Sequence, residues 1–262
     1  MGPDGLVISG GAARGAAFLG ALHCLQARGL LEDVRLVAGT SVGALAAALV
    51  CQGVDMYVAM QRIAAHPFEL QLDLVSIEPP FGVDSGFQLL TFIQSLVGTD
   101  TFDAMAKRTG RDLVICATCL NTRTPRYFRA STHPNMQVAR AVHLSCSLPL
   151  VFAYGEHQGE VFVDGGLTDN FPVHAATSAG CRRTLGLRLR ARDERRLPDD
   201  LIEYVMTLMS CVAWQAQCKD QGCWRVLELD VEQQAALDFG MSHKTLERLF
   251  KLGHSAAHEF VA

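Results

Sequence analysis

The sequence lacks any uninterrupted apolar run long enough to cross a bilayer. Its longest candidate, Leu36 to Val50, is broken by Gly39-Thr40-Ser41 and Gly43, whereas a spanning helix needs about 20 consecutive apolar residues. It also lacks a lysine- and arginine-rich block, and its net charge of −4 gives no general attraction to phosphate polymers. DNA and RNA are therefore not expected partners. Arg182-Arg183 and the stretch Arg188 to Arg196 are the local exceptions. A solvated strand end and loop is the plain interpretation of them, and contact with anionic lipid headgroups the sharper one.

Internal repeats, low-complexity tracts and linker-like stretches are missing too, so residues 1–262 are expected to form one domain. No secretory leader precedes the first strand-like segment, and the nine cysteines are an odd number set mostly inside apolar runs. Both features point to a reducing, cytoplasmic setting in which the protein visits membranes peripherally. Cys116 and Cys119 form a CxxC, but they lie in a β-like run whose alternation buries one cysteine and leaves the other near the strand end. Neither a helix N-terminus nor adjacent basic residues mark a lowered thiol pKa there. Zinc and thiol redox chemistry are set aside, and no metal or cofactor is expected.

What is present is an ordinary globular composition, 49% hydrophobic and 19% charged over 262 residues, enough to bury a substantial core. Gly5 to Ser9 is a short apolar run ending in glycines, and Ala16 to Arg28 repeats Leu19, Leu22 and Leu25 at helical spacing before Gly29. Val34 to Ala38 is again strand-like, Gly39-Thr40-Ser41-Val42-Gly43 is a second tight turn, and Ala44 to Cys51 starts a helix. Two consecutive strand-turn-helix units predict a parallel sheet with helices on its faces.

Further along, helices are predicted over Val54 to Ala65, from an Asp84-Ser85 cap to about Val97, and over Met136 to His143. Strands are predicted over Asp112 to Thr118, Pro125 to Arg129, Val161 to Val163 and Leu185 to Leu189. The irregular connection marked by Pro67, Pro79-Pro80 and Gly82 is the candidate lid. Leu201 to Lys219 and Ser242 to Val261 are predicted as amphipathic helices whose apolar stripes face the core.

Three turns carry chemistry. Gly39 to Gly43 is a GxSxG between strand and helix, where small neighbours permit the strained turn that lifts the Ser41 hydroxyl out of a sheet. Gly10-Gly11-Ala12-Ala13-Arg14-Gly15 follows the first strand and opens a helix, so its N–H groups form an anion site. A nucleotide phosphate, a lipid phosphate or an ester-derived oxyanion would suit it. The spacing matches neither GxGxxG nor GxxxxGK[ST], which disfavours a nucleotide. Asp164-Gly165-Gly166 ends a strand, with two glycines letting the backbone pass close to another group. Turns that end neighbouring parallel strands should meet at one carboxyl edge.

The order GGxxRG, GTSVG, Ser-Leu-Pro and DGG followed by Asn-x-Pro resembles the patatin-like phospholipase family over roughly residues 5 to 190. That resemblance implies an α/β/α sandwich, a three-layer fold with a mainly parallel central sheet, completed by residues 191–262. It also implies a calcium-independent lipid acyl hydrolase of phospholipase A or lysophospholipase type, with a glycerophospholipid at a membrane surface as substrate. On the matching positions, Ser41 resembles the nucleophile and Asp164 the acid of a Ser–Asp dyad. The N–H groups of Gly10, Gly11, Ala12, Ala13 and Val42 resemble the oxyanion hole. Arg14 and Gly15 are candidate substrate contacts, with Arg14 expected to hold an anionic headgroup or the loop itself, or simply to pair a nearby carboxylate. Gly39, Gly43, Gly165 and Gly166 are the elbow and turn glycines. Ala12 stands where the family commonly has a third glycine, at some expense in backbone freedom. Ser145 to Phe152 resembles the segment that lines the family's acyl pocket.

A free aspartate is a weak base for a serine, so burial should raise the Asp164 pKa. Asp169 is expected to cap the helix near Asn170-Phe171-Pro172. The main rival is a Ser-His-Asp hydrolase using His174, His243, His254 or His258, which follow Asp164 in the order that fold requires. A catalytically silent lipid- or protein-binding module is the alternative outside enzymology.

Overall fold

The computed structural model describes residues 2–66, 79–191, 204, 207–208, 211, 222–231 and 240–262. Strand β1 (Gly5–Ile8) leads through a single turn of 3-10 helix (Ala12–Gly15) into α1 (Ala16–Ala27), and β2 (Leu36–Thr40) leads through Ser41 into α2 (Val42–Gln52). Then come α3 (Met56–Ala65), α4 (Phe87–Val97), α5 (Phe102–Thr109), β3 (Asp112–Cys119), β4 (Thr124–Phe128) and α6 (Val138–Ser145). The hairpin β5 (Gly155–His157) and β6 (Glu160–Asp164) is followed by a short 3-10 turn, α7 (Val173–Ser178), β7 (Thr184–Ala191), β8 (Arg225–Val231) and α8 (His243–Phe260).

The eight strands form one sheet in the order β5-β6-β3-β2-β1-β7-β8, with β4 on β3. From β3 through β2, β1 and β7 to β8 every pairing is parallel, while β4, β5 and β6 add antiparallel pairs. Helices flank the sheet, the α/β sandwich that the two leading strand-turn-helix units foretold. Every residue of β1 and β2 is buried, as expected of parallel strands covered on both faces. Each fully buried Leu, Ile or Val contributes about 1.5–3 kcal/mol relative to exposure.

The larger core lies on the face bearing α1, α2, α4 and α8, and a smaller one sits under α7 around Val7, Ala38, Val114 and Phe171. Helices α1 and α8 pack backbone to backbone: a Cβ on Gly20 would overlap the Phe250 carbonyl, and one on Gly253 the Ala17 carbonyl.

The pairing of β3 positions the chemistry. Ile115 and Cys116 pair with both β2 and β4, and Ala117 to Cys119 with both β4 and β6. Since a strand has two edges and β4 takes one, β2 and β6 must share the other. They run toward each other along it, β2 ending at Thr40 opposite Cys116 and β6 ending at Asp164 opposite Ala117. Two carboxyl ends therefore meet head-on, one residue apart in β3 register.

Several expectations shift. The N-cap of α4 is Gly86 with φ 75° and not Asp84 or Ser85, but both side chains serve the helix start: the Asp84 carboxylate accepts the Gly86 N–H at 2.7 Å and the Ser85 hydroxyl the Phe87 N–H at 3.4 Å. Cys116 and Cys119 are both fully buried, because β3 is covered on both faces along its length. Helix α5 and strands β5 and β8 had no counterpart in the sequence pattern. The predicted helix Leu201 to Lys219 lies outside the described residues except at 204, 207, 208 and 211, as do residues 67–78 of the candidate lid. Among the described residues no helix is long and apolar enough to cross a membrane.

Candidate active site

Ser41 occupies the turn between β2 and α2 with φ 56° and ψ −129°, a conformation unfavourable for a residue bearing a Cβ. Its carbonyl accepts the Ala44 N–H at 2.8 Å, starting the helix. The flanking glycines are required by contact: a Cβ on Gly39 would overlap the Gly43 carbonyl, and one on Gly43 would overlap the carbonyl of Ser9 at the end of β1. The elbow is thus pressed against the glycine loop that follows β1. Gly15 closes the same contact, since a Cβ there would overlap the Val42 side chain.

Asp164 is 2% exposed, at the very end of β6. One carboxylate oxygen, Oδ1, accepts the Gly166 N–H at 2.7 Å. Among the described residues the other, Oδ2, is buried with no hydrogen-bond partner. Burial pushes the Asp164 pKa up to about 6, as expected, while the Ser41 hydroxyl and the Gly166 N–H pull it partly back. The two groups belong to adjoining turns, since β2 and β6 end against neighbouring residues of β3. Gly165 lets the turn lie flat on β3, where a Cβ would overlap the Cys116 carbonyl. The Cys146 sulfur is a second neighbour of the hydroxyl, and burial raises its thiol well above the usual range, which keeps it neutral.

The glycine loop departs from expectation at one donor. The Gly10 N–H donates to the Asn170 carbonyl at 3.0 Å, so it is not free to meet a ligand; the close packing of the loop on the Asn170 turn consumes it. Among the described residues the N–H groups of Gly11, Ala12, Ala13 and Val42 carry no such bond, as befits the first turns of helices. Ala12 adopts φ 51°, so the alanine found at this glycine-favouring position stands in the left-handed region, at roughly 1–2 kcal/mol. Arg14 donates from Nε to the Gly11 carbonyl at 3.1 Å, which ties the loop to itself, and burial lowers its pKa.

An apolar cavity opens at Ser41. Ala12 and Ala13 of the loop and Cys146, Leu148 and Phe152 of the Ser-Leu-Pro segment line it, so that segment does border the site. Its long wall is α2, from Ser41 past Leu45 to Leu49, about 12 Å at the rise of an α-helix. Leu19, Leu89 and Ile93 close the far side.

Asp169 does not cap α7, whose N-cap is Pro172 without a side-chain bond. Its carboxylate accepts the Tyr127 hydroxyl at 2.6 Å and meets the Phe171 N–H, ahead of the helix and not at its cap. Of the histidines in the rival scheme, His174 is exposed and bonded to Ser178, and His254 stacks near His23. His243 and His258 are exposed on α8. None contacts Ser41 or Asp164. The sequence reading missed two roles: Asn170, seen only within Asn-x-Pro, packs its side chain against both Gly10 and Gly166, and Ser145, grouped with the pocket-lining segment, does not line the cavity but accepts the Ser41 N–H with its hydroxyl. Asn-x-Pro was visible as a motif, but nothing in it announced a contact with the first loop.

The carboxyl edge of the sheet thus gathers an elbow serine, a buried carboxyl group, an apolar cavity and amides that, among the described residues, are unpaired. The patatin-like phospholipase model matches residues 6–177, and the chain belongs to that family. Lysophospholipase NTE1 of Mycosarcoma maydis is 26% identical over 95% of this chain, which spans 13% of that relative's length. A probable lipid hydrolase of Invertebrate iridescent virus 6 is 25% identical over 65% of this chain and 62% of its own. Among solved structures, VipD from Legionella pneumophila superposes on all of this chain and 67% of its own, with a TM-score of 0.69 at 16% identity. At that identity the likeness speaks to the fold.

Proposed function

We propose that residues 1–262 act as a single lipid acyl hydrolase domain in which Ser41 is the nucleophile and Asp164 the sole protein base. The observation that carries this is the head-on meeting of β2 and β6, which brings a buried carboxylate oxygen lacking any partner to the elbow serine. In the first half-reaction the Ser41 Oγ bonds to the ester carbonyl carbon as its proton passes to Asp164. The oxyanion is met by the free N–H groups of Gly11, Ala12, Ala13 and Val42. The alcohol leaves with the proton from Asp164, and the acyl group stays on Ser41. In the second half, water gives a proton to Asp164 as its oxygen bonds to the acyl carbon. The bond from that carbon to the Ser41 Oγ then breaks as Asp164 returns the proton to Oγ, releasing the fatty acid and restoring both groups. The scheme balances without metal or cofactor.

The apolar cavity suits a fatty-acyl chain, and a glycerophospholipid drawn from a membrane surface is the substrate best supported by the family and by the names of the relatives. Arg14 serves chiefly to hold the loop that carries the donors. A fluorophosphonate probe should label Ser41, and purified protein should release fatty acid from a phospholipid panel read by mass spectrometry. Ser41→Ala should abolish both; hydrolysis retained by that variant would remove the assignment, and absence of labelling in the unaltered protein would favour a silent lipid-binding module.

A further inference from the structure

Strand β2 ends at Thr40 in register with Cys116, and Ser41 then turns out of the sheet. The turn takes the Ser41 N–H away from the strand ladder, and the Ser145 Oγ accepts it at 2.8 Å. The same oxygen donates its hydrogen to the Cys116 carbonyl at 2.5 Å. Ser145 is the last residue of α6 and is wholly buried. One hydroxyl thus bridges the elbow to β3, a single residue before Ala117, the register partner of Asp164. The Cys116 carbonyl is also the surface on which Gly165 lies. Elbow and Asp164 turn therefore share one anchor, and the elbow reaches it through Ser145.

We infer that Ser145 is a positioning residue: its hydroxyl holds the Ser41 backbone in its left-handed turn and thereby sets the Ser41 Oγ against the Asp164 carboxylate. This rests on the proposal that Ser41 is the nucleophile. Backbone strain of this kind persists only where the surroundings over-determine it, and a serine hydroxyl is among the few short groups that can accept from an amide and donate to a carbonyl through one atom. Alanine at 145 removes the acceptor of the Ser41 N–H and a donor to the Cys116 carbonyl, so the elbow relaxes. Misplacement of a nucleophile by about 1 Å can lower the rate on the order of 100-fold. Ser145 does not line the acyl cavity, so substrate binding should not share the loss.

The test is the second-order rate of fluorophosphonate labelling at Ser41, with kcat and KM for one phospholipid in mixed micelles. Ser145→Ala should label and turn over about 10- to 100-fold more slowly, with KM within twofold. Ser145→Thr, which keeps the hydroxyl, should recover most of the labelling rate. Val114→Ala, a cavity variant in the core under α7, serves as the control that loses stability without touching the elbow and should label at the original rate. If Ser145→Ala does not fold, Ser145→Cys replaces it, and the weak hydrogen bonding of a thiol predicts an intermediate rate. Labelling by folded Ser145→Ala, or by Ser145→Cys in its place, at the rate of the unaltered protein overturns the inference, as does a loss matched by Val114→Ala at equal melting temperature. A chain that fails to label at Ser41 before any substitution defeats the nucleophile assignment instead.

Discussion

Two aspartates five residues apart, Asp164 and Asp169, stand on the two sides of the same turn, and both have their pKa values raised by burial. They differ in what meets the carboxylate. Asp169 is held by the Tyr127 hydroxyl at 2.6 Å on the β4 side, while its own carbonyl accepts the Thr40 hydroxyl at 2.8 Å. Asp164 keeps Oδ2 unpartnered beside Ser41. A buried carboxylate with satisfied oxygens is a structural strut, whereas one with an open lone pair beside a hydroxyl can take a proton. Burial by itself therefore does not single out the proposed base; an oxygen left open toward the elbow serine is what sets Asp164 apart from Asp169.

The sharpest way to break this comparison is to neutralise each side in turn. Asp164→Asn should lower fatty-acid release by about 10³-fold or more, within the range for loss of a general base, and retained turnover would make the contrast meaningless. The same variant should be more stable than the unaltered protein at pH 8. The Asp164 pKa of about 6 stands above its ordinary 3.8, so the folded chain holds an extra proton between those values. The associated stability is complete below about pH 4 and is lost as pH rises through 6, at most about 3 kcal/mol. An asparagine stays neutral throughout, so its advantage in melting temperature should grow from pH 4 to 8.

Next in size is the pH profile. The base must be ionised in the free enzyme, so kcat/KM should rise about tenfold per unit below pH 6 and flatten above it. In Asp169→Asn the midpoint should stay near 6, with turnover within about tenfold of the original; a profile that moves with residue 169 would exchange the two roles. The smallest effect belongs to Tyr127→Phe. Loss of the hydroxyl leaves the Asp169 carboxylate short of a partner and should reduce stability by about 1–3 kcal/mol in chemical denaturation, with kcat unchanged within about threefold.

Much of this site is legible in the chain because local rules govern it. A serine between glycines at a strand-to-helix junction, a glycine-rich loop after β1 and a DGG after a strand each need only a few neighbours to be recognised, and all three lie at one sheet edge. Helices α1 to α4 fell within about two residues of their periodic patterns. The Gly10 N–H was misjudged because its acceptor is Asn170, 160 residues away. Ser145 was assigned to the pocket lining because a serine at a helix end looks like any other, and its actual partners come from the elbow after β2 and from β3. The short strands β5 and β8 and helix α5 offer too few residues for a period to register.

By itself, the order of apolar runs, glycines and polar residues determined the α/β class, which follows from backbone geometry within a handful of positions, and carried the motifs whose resemblance to the family supplied the pair of groups proposed to react. Only the tertiary structure decided which amides remain free, which aspartate keeps an open oxygen, and how the elbow is braced. Those depend on where distant segments place their hydrogen-bonding atoms, and the collinear meeting of β2 and β6 on one edge of β3 is a property of strand pairing that no single segment encodes.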